Sequence, residues 1–151
     1  MSTLIVFFII CIIFLFGFFI WIIIPKFLET PSYKVELSDS KFEIRRYNSF
    51  AVTQISIIGD QDETLRKGFR PLVRFIGAKE RSSEKISMTV PVMQARTKQN
   101  DRWLISFSMP SKYNINNLPK PTNVNLIQKV ILEKQMAVIR FNGRATKQLL
   151  V

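Results

Sequence analysis

The sequence contains no histidine and a single cysteine. Without histidine it lacks the usual general base, the commonest metal ligand and the commonest haem axial ligand. Serine–histidine and cysteine–histidine hydrolases are therefore excluded. Cys11 stands alone in an apolar run, so neither an internal disulfide nor a zinc site can form. That removes zinc fingers and disulfide-stapled secreted domains, and it says nothing about redox compartment. Charge is missing too at the start: no charged side chain precedes Lys26, and the formal net charge of +11 all lies after it. Mean hydropathy is nevertheless +0.12, so the apolar residues are gathered in one place. A chain of 151 residues has room for one domain of ordinary size.

That place is residues 4–24, nearly all Ile, Phe, Leu, Val or Trp. As a helix the run measures roughly 32 Å at 1.5 Å per residue, enough to span a hydrocarbon core. No Lys or Arg precedes it and no small-x-small site follows, which argues against a cleavable signal peptide. Trp21 suits an interface, and Pro25-Lys26 suits a helix stop at the headgroups. The expectation is a single transmembrane anchor over 1–25. Lys26, Lys34, Lys41, Arg45 and Arg46 follow the span, so the charge rule puts the C-terminal domain on the cytoplasmic side of a membrane. A basic domain there would be drawn to anionic lipid headgroups; the alternative is a solvated basic surface with no binding role.

Residues 26–32 read as a linker and 33–151 as one domain. Tyr33, Val35 and Leu37, then Phe42 and Ile44, alternate with polar residues as strands do, and a further strand is predicted over residues 50–58. The period then changes. Leu65, Phe69, Leu72 and Ile76 recur at helical spacing, with Asp60 and Glu63 as a capping pair and Gly77 as the stop. Pro71 inside this helix predicts a kink. Strands are expected over 86–95, with Pro91 at a bulge, and over 103–109, joined by a turn at 99–101. An irregular connection at 110–123 leads to strands over 124–132 and 135–141 about a turn at Glu133-Lys134.

Residues 129–143 weakly echo 42–59: each has an Ala-Val pair (Ala51-Val52, Ala137-Val138) near a strand start and a Gly where the strand stops. The first unit continues into a helix and a hairpin, whereas the second reaches only a short helical stretch at 145–151. The domain is thus expected to be incomplete in its second half, with open sheet edges.

Several strings together carry a family resemblance: FEIRRY at 42–47, FRPLVRFIG at 69–77, KISMTVPV at 85–92, WLISFSMP at 103–110, LPKP at 118–121 and AVIRFNG at 137–143. In order and spacing they resemble the SOUL haem-binding family, over roughly residues 31–146. The resemblance implies an α+β fold, a distorted antiparallel β-barrel of pseudo-symmetric halves with the second truncated, here preceded by one transmembrane helix. It also implies a haem or related tetrapyrrole in an apolar surface pocket beside the first helix of the domain. The fold is similar as well to effector domains of multidrug-sensing regulators, so fold alone does not set the ligand.

A tetrapyrrole is a large apolar disc bearing carboxylates, and its site needs apolar area with cations at one rim. Arginine suits that rim because its planar fork pairs with a carboxylate through two hydrogen bonds. By similarity to the family's helix, Arg66, Phe69, Val73 and Arg74 fall at positions lining the pocket or meeting the propionates. Arg74 projects away from the predicted apolar stripe unless the Pro71 kink turns it. The competing reading is an ordinary amphipathic helix with its arginines in water. Haem would have to bind without histidine ligation. Met88, Met93, Met109, Met136, Tyr33, Tyr47 and Tyr113 are the remaining candidate ligands, each also suited to packing. Ser87 and Thr89 have no base nearby in sequence, so no catalytic residue is assigned.

The leading expectation is a membrane-anchored tetrapyrrole-binding module for sequestration or transfer, and not an enzyme. The alternatives are a module for other small molecules and a tetrapyrrole-modifying enzyme. Nucleic-acid binding, suggested by the basic charge, lacks any helix-turn-helix or RNP pattern. A structural role, with open strand edges pairing to a second copy, also stays open.

Overall fold

The computed structural model describes residues 2–23, 28–79, 84–97 and 102–139. These form α1 (Ser2–Ile23), β1 (Tyr33–Asp39), β2 (Phe42–Tyr47), β3 (Phe50–Ile58), α2 (Gln61–Ile76), β4 (Val92–Arg96), β5 (Arg102–Ser108), β6 (Ile127–Ile131) and β7 (Lys134–Ile139). The turn expected at 99–101 and the helix expected at 145–151 lie outside the described residues.

The strands form two open sheets, β1-β2-β7 and β4-β5-β3-β6, and the expected barrel does not close. Closure needs the outermost strands to pair. Among the described residues the outer edges of β1 and β7, and of β4 and β6, pair with no further strand.

The two sheets share one register. Phe42 faces Ile139 and Tyr47 faces Lys134 in the first sheet; Phe50 faces Ile131 and Gln54 faces Ile127 in the second. Each pair of residue numbers sums to the same value, so the register passes unbroken through the corners at Asn48-Ser49 and Leu132-Glu133. β2–β3 and β6–β7 are two long strands, paired antiparallel and bent together. The turn at Glu133-Lys134 is therefore a corner in one strand and makes no hairpin between β6 and β7.

A second correction concerns the anchor. Among the described residues no helix is long and apolar enough to cross a membrane. The single-pass membrane placement, and the cytoplasmic side inferred with it, go with that expectation. Within 26–32, Glu29 is docked: its carbonyl accepts from the Val90 amide at 2.9 Å and its carboxylate from the Ser111 amide at 2.7 Å.

The core lies between α2 and the second sheet. Ala51, Ile55, Ile105 and Phe107 from the strands meet Leu72, Phe75 and Ile76 from the helix, with Ile86, Met109, Leu118 and Leu126 closing the margins. Burying each large apolar side chain stabilises by about 1.5–3 kcal/mol. The helix comes close because Gly68 faces the sheet; a Cβ there would stand 2.7 Å from Cγ1 of Ile105. α2 runs unbroken through Pro71. Its start is fixed by Thr64, whose amide donates to the Asp60 carbonyl and whose hydroxyl donates to the Gln61 carbonyl, both at 2.9 Å. Asp60 occupies the N-cap without a side-chain capping bond. At the other end Gly77 has an ordinary negative φ, and Ala78 takes the left-handed turn at φ 55.

Candidate functional site

α2 buries Thr64, Gly68, Leu72, Phe75 and Ile76. That face is turned roughly 60° about the axis from the stripe of Leu65, Phe69, Leu72 and Ile76 drawn at 100° per residue. Apolar periodicity does not count a glycine or a threonine as core, yet Gly68 allows the contact and Thr64 satisfies its own hydroxyl. The rotation leaves Phe69 and Val73, one turn apart, each 36% exposed on the flank of the helix.

Phe69 is held from behind. Its ring meets buried Phe107 edge to face, with centroids 5.4 Å apart and planes at 67°. Beside this apolar step lies an open concavity of about 610 Å³ lined by Phe69, Arg70, Val73, Arg74 and Lys79. Of the residues expected in the site, Phe69, Val73 and Arg74 thus come together. Arg66 lines a neighbouring concavity of about 470 Å³ with Glu63, Lys67 and Arg70. There Lys67 is engaged by Glu63 at 2.7 Å.

Arg70 and Lys79 also line the concavity, and neither is among the residues the family resemblance implies. Arg70 was legible, since it sits one turn from both Arg66 and Arg74. Lys79 was not: it reaches the site through the turn at Ala78, where its amide donates to the Arg74 carbonyl at 3.2 Å. Arg74 borders the site because the real buried face lies farther round the helix, which brings the 70 and 74 positions to the edge of the exposed apolar step.

The candidate iron ligands are elsewhere. Met109 is buried, and its sulfur accepts from the Thr53 hydroxyl at 3.6 Å. Tyr33 and Tyr47 pack 5.1 Å apart with the Arg45 guanidinium over Tyr33 at 4.2 Å. Tyr113 packs against the core. No methionine or tyrosine is among the described residues lining the two concavities. Among the described residues there is also no group of three or more His, Cys, Asp or Glu able to hold a metal ion.

Thr89, in the MTVPV segment, is buried, and its hydroxyl makes bonds of 2.6 Å to the Ser108 carbonyl and 2.9 Å to the Ser108 hydroxyl. The segment is a structural tie to β5. β4 begins only at Val92, so the strand expected from Ile86 starts late.

An apolar step edged by arginines has the chemistry that a flat, anionic, largely apolar ligand would require. The concavity falls within the roughly 300–1,000 Å³ usual for ligand pockets. Its residues fit a tetrapyrrole: Phe69 and Val73 offer the ring apolar contact, and Arg70, Arg74 and Lys79 offer cations to its carboxylates. The sequence model for SOUL heme-binding protein matches residues 28–150, and the chain belongs to that family. Its cofactor class is accordingly haem or a related tetrapyrrole. No individual curated protein matches the sequence.

Proposed function

We propose that the chain sequesters or hands over haem or a related tetrapyrrole on the Phe69–Val73 step, by apolar burial and carboxylate pairing, without a protein ligand to iron. The observation that carries this reading is the pairing of two half-exposed apolar side chains with Arg70, Arg74 and Lys79 around one concavity. Phe69, backed by Phe107, offers a preoriented surface, so little side-chain entropy is lost when a ring settles on it. The arginines give charge-assisted hydrogen bonds at the rim. Because the site is an open flank, the ring has a short path out, which suits transfer more than permanent storage.

The test is a hemin titration of the full-length chain beside Val73→Asp, followed by the Soret band. The introduced carboxylate would put a negative charge under the ring while leaving the core face of α2 untouched. Saturable binding that weakens tenfold or more in Val73→Asp is the expected result. Unchanged affinity in the variant, or no saturable binding by the parent chain, overturns the reading.

A further inference from the structure

Arg70 is common to two concavities. One holds Phe69, Val73, Arg74 and Lys79; the other holds Glu63, Arg66 and Lys67. Arg66, Arg70 and Arg74 follow one another at successive turns along a single face. Their Cα atoms span about 12 Å of helix axis, comparable with the breadth of a porphyrin. A ligand with carboxylates on only one edge needs the cations at one end of this row. Arg74 and Lys79 suffice for that, and they leave the second concavity unused.

The charges in the second concavity favour an anion. Glu63 is engaged by Lys67 at 2.7 Å, and neither Arg66 nor Arg70 forms an ion pair with an acid among the described residues. The net local charge of these four side chains is therefore positive, with two planar guanidinium forks available for carboxylates. Among the described residues lining it there is no apolar side chain, so the second concavity suits polar substituents of a ligand whose ring lies on the first.

We propose that the second concavity is a carboxylate subsite reached across Arg70, and that it makes the chain prefer tetrapyrroles with carboxylates on more than one edge. The proposal rests on the ring lying against Phe69 and Val73. It adds that ligand choice is set by carboxylate number through Arg66 and Arg70. An exposed arginine–carboxylate pair contributes a modest factor, about 2- to 5-fold each. The preference should therefore be clear but limited, and it should fade with salt, which screens exposed charges.

The experiment uses two metal-free porphyrins, so iron plays no part: mesoporphyrin with two carboxylates and coproporphyrin with four. Affinities are read by fluorescence on the full-length chain, on Arg70→Gln and on Phe69→Ala, at low and at high salt. Coproporphyrin should bind about 3- to 10-fold more tightly than mesoporphyrin, with the ratio falling toward one at high salt and in Arg70→Gln. Phe69→Ala should weaken both and preserve the ratio. Equal affinities in the parent chain, or an Arg70→Gln variant weakened alike for both porphyrins, overturn the subsite and leave the ring site standing. A chain that binds neither porphyrin overturns both.

Discussion

Phe69 and Phe107 meet edge to face, one half-exposed on the helix and the other buried in β5. The contact links core and site: the residue that completes the packing of the sheet also orients the apolar surface offered to a ligand. Edge-to-face pairs contribute about 0.5–1.5 kcal/mol beyond area burial. Phe69→Ala should therefore lower porphyrin affinity by about tenfold and cost about 1–2 kcal/mol of stability, less than a fully buried phenylalanine would, since Phe69 is partly in water. Phe107→Leu should reverse the balance, with a clear drop in melting temperature and a loss of only two- to threefold in affinity. Parallel thermal melts and fluorescence titrations read both quantities.

Gly68 sets the distance between α2 and the sheet. A Cβ at this position would meet Ile105 at 2.7 Å and Ile55 at 3.1 Å, both in the sheet facing the helix. Overpacking of this kind costs about 1–3 kcal/mol, more than the gain in helix propensity of about 1 kcal/mol from Gly to Ala. Gly68→Ala should be net destabilising in chemical denaturation. Combining it with Ile105→Ala should cost less than the sum of the two single changes, because the added methyl would occupy the space left behind.

Thr89 ties the segment before β4 to Ser108 at the end of β5. Thr89→Val keeps the shape and removes the donor, leaving the buried Ser108 groups short of a partner at a cost of about 1–2 kcal/mol. The melting temperature should fall by several degrees with porphyrin affinity unchanged. A variant that folded as well as the parent but lost ligand would mean that Thr89 has a role in the site.

Glu36 accepts hydrogen bonds from Arg46 and Gln135, and these hold its carboxyl below the ordinary carboxylate value. The bonds join β1 to β2 and β7 across the first sheet. A depressed carboxyl stabilises the fold above its ordinary value of about 4.3, and that contribution fades as pH falls through the lower folded value. Glu36→Gln should thus melt below the parent at neutral pH, with the difference shrinking below about pH 4. Melting curves across pH check the sign.

Local pattern carried much of this fold. The strand expected over residues 50–58 is β3, Phe50–Ile58, because alternation and a bounding Gly59 are local signals. α2 was legible in its period and its end near Gly77. Its buried face was not, since Gly68 and Thr64 become core only when the sheet packs against them. The register shared across Asn48-Ser49 and Leu132-Glu133 was also hidden: a corner and a turn have the same polar composition, and only the register between distant strands tells them apart. Of the residues that line the larger-volume concavity, the family resemblance pointed to Phe69, Val73 and Arg74. Lys79 depended on the chain reversal at Ala78, which no local rule announces.

In the proposed site the ring is held by its apolar face and its carboxylates, with no protein grip on iron. The most direct measurement compares hemin with metal-free protoporphyrin, which share ring and carboxylates, in titrations of the full-length chain under the same conditions. Affinities within about twofold of each other are the predicted result. Hemin binding tenfold or more tightly, with a Soret position showing an axial side chain, would contradict the account.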